Sequence, residues 1–150
     1  MKILIVESRF YEDITDNLVK GAVRELQAVG AGFKRVIVPG ILEIPGAIRY
    51  AVRAMEMRAT DERYTGYVTL GCAIKGETDH YDHVCHEAFA GVQNLTLQYT
   101  LAVGNGILTV HNKNQAMERA MPEKRNFGGQ AARACLRMIE IKKDLGLLPK

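Results

Sequence analysis

Apolar residues follow two alternating rhythms along this chain: short unbroken runs, and longer stretches spaced by three and four. The first run, Ile3-Leu4-Ile5-Val6, has no polar residue to mark an outer face, the pattern of a strand buried on both sides of a parallel sheet. Ile14, Leu18, Ala22, Leu26 and Val29 then recur at helical spacing, with Asp13 as the candidate cap and Gly30 as the stop. Residues 33–38 predict a second strand, followed by a Pro39-Gly40 turn and a helix entered at Pro45 with Ile44, Ile48, Ala51, Val52 and Met55 on one face. Tyr67-Val68-Thr69-Leu70 is β-branched and aromatic, a third strand, and Val84, Ala88, Val92, Leu95 and Tyr99 stripe the helix after it. The fourth strand falls at Ala102-Val103 or at Ile107-Leu108-Thr109-Val110, the pattern being broken by Gly104-Asn105-Gly106. A short helix over 114–120, a loop over 121–129 and a last helix over 131–146 complete the chain.

Strand and helix alternating in this way predict one α/β domain over residues 1–150. Its form is a three-layer αβα sandwich on a four-stranded parallel sheet. Ligands of such sheets bind at the carboxyl ends of the strands, so the loops after strands one to three carry the candidate chemistry. Those loops bring Phe10, Glu43 and the stretch Gly71 to His83 to one edge. Phe10 is either a packing residue or a face for a planar ring to stack on. Glu43 either favours the dipole of the helix it precedes or accepts hydrogen bonds from a hydroxylated ligand.

The stretch Gly71-Cys72-Ala73-Ile74-Lys75-Gly76-Glu77-Thr78-Asp79-His80 reads as a glycine-bracketed loop between strand and helix. Thr78 or Asp79 can cap that helix, whose free N–H groups suit a phosphate. The pattern approaches a P-loop, but Glu77 stands where the lysine belongs, which turns the reading from a nucleoside triphosphate to a smaller phosphate ester. His80 at the junction can move protons near neutral pH. His83 and His86 suit a solvated helix face; the three histidines have no zinc-binding spacing, so no metal is expected. Arg119 reads from spacing alone as a surface charge.

Composition narrows the class without changing this picture. A hydrophobic fraction of 47% and a charged fraction of 25% are those of a globular protein. The net charge of +3 is spread over scattered lysines and arginines, with no basic stripe for nucleic acid. Cys72, Cys85 and Cys135 are odd in number and form no CxxC, which points to reduced thiols and a cytoplasmic location. The opening apolar run is too short for a signal peptide or a membrane span.

Several motifs occur together and in order: Arg9-Phe10; Val38-Pro39-Gly40 with Glu43-Ile44-Pro45; Leu70-Gly71 with Ile74-Lys75-Gly76-Glu77-Thr78 and His80-Tyr81-Asp82; Gly106-Ile107-Leu108-Thr109; and Gln115-Ala116-Met117-Glu118-Arg119-Ala120. In these the chain resembles the lumazine synthases of riboflavin biosynthesis over nearly its whole length. The resemblance implies a flavodoxin-like fold and a condensation of 5-amino-6-ribitylaminouracil with 3,4-dihydroxy-2-butanone 4-phosphate that needs no metal or cofactor. It implies that Phe10 stacks on the pyrimidine, that Ile41, Leu42 and Glu43 hold the ribityl chain, and that Cys72, Ala73 and Ile74 contact the uracil. Glu77, Thr78 and Arg119 would receive the phosphate and His80 would transfer protons, with Asn105 and Arg119 arriving from a neighbouring subunit of a pentamer. A non-catalytic flavin- or lumazine-binding protein on the same fold is the alternative.

The chain departs from the family pattern at Leu42, where an aromatic is common, at Asn105, where an apolar residue is common, and at Phe127, where a lysine is common. It begins without the extra strand many members have, and the loop before Asn126 lacks the usual glycines. These departures favour a free pentamer over a sixty-subunit shell.

Overall fold

The computed structural model describes residues 1–149. Four parallel strands lie in the order β2-β1-β3-β4: β1 is Lys2–Ser8, β2 Gly32–Val38, β3 Gly66–Ile74 and β4 Val103–Val110. Helices α1 (Glu12–Ala28), α2 (Ile44–Glu56), α3 (His80–Tyr99), α4 (Lys113–Ala120) and α5 (Phe127–Asp144) cover the sheet. The layers are those expected, and the fold is flavodoxin-like.

The alternation of side chains along β1 sorts the core into two. Ile3 and Ile5 pack with Ile14, Leu18 and Leu26 of α1 and with Cys135 and Ile139 of α5. Leu4 and Val6 face Ile44, Ile48 and Val52 of α2 and Ala88 and Val92 of α3. Ile44 and Ile48 are fully buried, so truncating either to alanine would cost about 2–5 kcal/mol. Glu7, also fully buried, brings a carboxylate into β1. Its carboxylate accepts from Nε and Nη2 of Arg35 on β2, each at 2.8 Å, and from Arg9 Nη1 at 2.9 Å.

The structure corrects the expected elements in four places. Asp13 is not the cap of α1: the helix begins at Glu12, and the Asp13 carboxylate accepts from the Ile14 N–H inside the first turn. β3 does not stop at Leu70 but continues to Ile74, with Gly71 to Ile74 paired to Ile107 to Val110. The loop to α3 is therefore 75–79 alone.

β4 is a single strand running through Gly104-Asn105-Gly106. These glycines do not break it. A Cβ on Gly104 would lie 1.7 Å from the Ala131 carbonyl oxygen, so α5 crosses β4 backbone on backbone. α5 begins at Phe127 rather than at 131, capped by the Asn126 side chain, which accepts from the Gly129 N–H. Gly128 is buried in its first turn, where a Cβ would sit 1.9 Å from the carbonyl oxygen of Leu18 on α1.

Candidate active site

The chain leaves β1 toward β2 on one side of the sheet and leaves β3 toward β4 on the other. The carboxyl ends of β1 and β3 thus splay their following segments apart and leave a crevice. A cavity of about 380 Å³ lies there, a size suited to a small organic molecule. Three segments wall it. The turn after β1 supplies Ser8, Phe10 and Tyr11. The turn after β2 supplies Gly40, Ile41, Leu42 and Glu43. The end of β3 and the start of α3 supply Cys72, Ala73, Ile74, Gly76, Thr78, His80, Tyr81 and Val84.

Phe10 stands at the rim, 72% exposed, so it is not a core residue. Ile41 is buried in the wall while Leu42 is about half exposed beside it. Both belong to a 3-10 turn, Ile41–Glu43, that leads directly into α2. Glu43 Oε2 accepts from the Gly40 N–H at 3.0 Å, closing a capping box with the Glu43 N–H bonded back to the Gly40 carbonyl. Glu43 therefore caps its turn with one oxygen while the other makes no hydrogen bond among the described residues. It is one of the residues lining the cavity.

Cys72, Ala73 and Ile74 reach the site as strand rather than loop, and this makes them rigid. Burial, reinforced by Cys85 and Asp13, pushes the Cys72 thiol up to about 12. It is a neutral, non-nucleophilic group at physiological pH. Burial likewise raises Tyr11, with Cys72 adding to it, and raises Tyr81, so both phenols stay protonated.

His80 is the first residue of α3, one helix turn of N–H groups behind it. Its own N–H approaches Thr78 Oγ1 at 3.4 Å, and Asp79, the capping residue, makes no side-chain cap bond. Among the described residues no hydrogen bond is made to the N–H groups of Tyr81 and Asp82. The start of α3 thus leaves N–H groups free at the positive end of the helix dipole, with His80 as its first residue and Asp79 and Asp82 nearby.

Three expected site residues lie elsewhere. Glu77 is exposed on the loop and does not line the cavity. Asn105 projects from the middle of β4, where its Oδ1 accepts from Thr69 Oγ1 and from the Ile107 N–H, both at 3.0 Å. Arg119 lies on α4 with Nη1 donating to the Gln115 carbonyl at 3.2 Å, outside the cavity of its own chain. Phe127 is half-buried against the α1–α5 core. Conversely, Ser8, Tyr11, Tyr81 and Val84 line the cavity without having been singled out. Tyr11 and Tyr81 each adjoin an expected residue, Phe10 and His80, and adjacency at an element boundary was the available signal.

Among the described residues, no three His, Cys, Asp or Glu side chains converge to hold a metal, and no helix is long and apolar enough to cross a membrane. A protein-family model described as 6,7-dimethyl-8-ribityllumazine synthase matches residues 1–143. Curated relatives bearing that name include one from Paramagnetospirillum magneticum, 51% identical over 146 residues and covering 97% of both chains. Another, from Bartonella tribocorum, is 49% identical over 96% of this chain and 91% of its own. The 6,7-dimethyl-8-ribityllumazine synthase 1 of Rhizobium meliloti is 48% identical over 96% of this chain and 93% of its own. With a whole-chain match and near-complete mutual coverage, this chain belongs to the 6,7-dimethyl-8-ribityllumazine synthase family.

Proposed function

We propose that this protein condenses 5-amino-6-(D-ribitylamino)uracil with 3,4-dihydroxy-2-butanone 4-phosphate to 6,7-dimethyl-8-ribityllumazine, releasing phosphate and water. It is a transferase of riboflavin biosynthesis. One observation carries this reading: a single cavity gathers an exposed aromatic ring, a half-engaged carboxylate, rigid strand backbone and an open helix mouth beside an imidazole. These are the complements of a planar pyrimidine, a polyol, uracil amide groups and a phosphate.

Phe10 stacks on the pyrimidine, Ile41 to Glu43 hold the ribityl chain, and Cys72 to Ile74 meet the uracil. The phosphate of the four-carbon substrate settles at Thr78 and the α3 mouth, with Glu77 on the adjoining loop. The pyrimidine's own amine attacks the ketone, so no enzyme amine is needed and Lys75 stays outside the chemistry. His80 moves protons between the condensing groups. Holding two substrates in register supplies most of the acceleration.

The phosphate site is completed by Arg119 of a second copy, and Asn105 of that copy approaches the ring. The exclusion of both residues from their own chain's cavity supports this arrangement. The assembly is a homo-oligomer, a pentamer rather than a sixty-subunit shell, acting on small molecules in the cytoplasm. Mixing the two substrates with purified protein and following lumazine absorbance tests the reading. A yellow protein that retains its ligand and forms no product would instead identify a binding protein on this fold.

A further inference from the structure

Phe10 has little of its own to hold it. The residue is mostly solvent-exposed, and among the described residues its one aromatic neighbour is Tyr11, next to it in the chain. A ring not fixed by packing takes its position from the backbone that carries it, and here that backbone is a three-residue turn between Ser8 and Glu12.

Two contacts tie the turn. Thr15 Oγ1, buried on α1, donates to the Ser8 carbonyl at 2.6 Å. The Arg9 guanidinium closes the other side: Nη1 donates to Glu7 before the turn, and Nη2 donates to Asp16 and reaches the Glu12 carbonyl after it. One planar fork thus joins the end of β1 to the start of α1 across the residue that bears the ring. Its β1 anchor does not move, since Glu7 is fully buried and gripped on the far side by both Nε and Nη2 of Arg35.

We infer that Arg9 is a positioning residue, which sets the place of the Phe10 ring at the rim of the cavity by stapling the strand–helix turn to the buried Glu7–Arg35 pair. This rests on the reading of Phe10 as the face for the pyrimidine. Arg9 touches no substrate and does not line the cavity. Because Arg35 alone still pairs Glu7, removing Arg9 leaves no uncompensated buried charge, and the fold survives the change.

A double-mutant cycle on the purified enzyme tests the inference, read as KM for the pyrimidine, KM for the four-carbon phosphate, and kcat. Arg9→Gln raises the pyrimidine KM about tenfold, with the phosphate KM and kcat within about twofold of wild type, since a displaced ring weakens one partner only. Arg9→Lys restores part of the loss. In a Phe10→Ala background Arg9→Gln adds nothing further, because there is no ring left to place. Losses that add, or that fall equally on both substrates, overturn the positioning role while leaving the proposed function intact. A Phe10→Ala enzyme with an unchanged pyrimidine KM removes the stacking role, and the positioning role with it. Should Arg9→Gln not fold, Asp16→Asn opens the exposed end of the same staple, and the same non-additivity with Phe10→Ala decides.

Discussion

The rings of Phe10 and Tyr11 meet edge to face, with centroids 5.0 Å apart and planes at 74°. Phe10 keeps most of its surface open, and both residues line the cavity. Phe10→Ala should weaken the pyrimidine by about tenfold, the loss of one stacking face, and leave thermal stability nearly unchanged because the ring is exposed. Calorimetric titration of the pyrimidine, paired with a melting curve, separates the two. A large drop in Tm would mean that the ring is a packing residue after all.

His80 is the first residue of α3 and lines the cavity. Replacing it with alanine should slow kcat by about 10²-fold or less, the low end for acid–base catalysis, because substrate orientation survives the change. A variant with wild-type rates from acid to alkaline pH would exclude His80 from proton transfer.

Arg119→Lys should weaken inorganic phosphate and the four-carbon substrate while sparing the pyrimidine, since a lysine cannot reproduce a guanidinium's paired hydrogen bonds. If Arg119 serves a neighbour's site, His80→Ala and Arg119→Ala chains complement each other. Co-expressed in equal amounts in a closed ring, they should rebuild about a quarter of the wild-type sites by random placement. Activity no greater than the sum of the two separate variants would place Arg119 in its own chain's chemistry. Sedimentation should find the active species near five times the 16.7 kDa chain mass.

Burial pushes the thiols of Cys72 and Cys135 and the phenol of Tyr67 up to about 12. The folded state prefers their neutral forms, so this contribution to stability is whole below the unfolded values, near 9 for the thiols and 10 for the phenol. It drains away as pH climbs from there through the folded values. Chemical denaturation should give a flat stability between pH 7 and about 8.5 and a steep decline above pH 10. A protein as stable at pH 11 as at pH 7 would contradict the burial of these groups.

Strands, layers and the first three helices were legible in the sequence because each is written locally, in apolar runs and in steps of three and four. The misreadings have a common physical source. Gly104 looks like a strand breaker from within its own segment, and its cause, the approach of the Ala131 carbonyl on α5, is 27 residues away. Gly71 likewise seemed to open a loop, although the strand carries on through Cys72, Ala73 and Ile74 to pair with β4. In the site, Phe10, Glu43, Thr78 and His80 could be found because each sits at an element boundary with chemistry out of keeping with its neighbours. Arg9 could not be weighed in the same way, since its meaning depends on Asp16, one α1 turn ahead, and on a carboxylate whose other partner belongs to β2.

The contact between Gly128 and the Leu18 carbonyl reverses an ordinary rule of protein engineering. A glycine inside a helix is a standard target for replacement by alanine, a change worth about 1 kcal/mol in propensity. Gly46 in α2, with nothing within 4 Å of its missing Cβ, suits that treatment. Gly128 does not, because its added methyl would have to displace the backbone of α1, the helix that also carries Glu12 and Asp16, two of Arg9's partners. Two helical glycines that a propensity scale scores alike are thus opposite choices, one open to improvement and the other closed to every side chain in the genetic code.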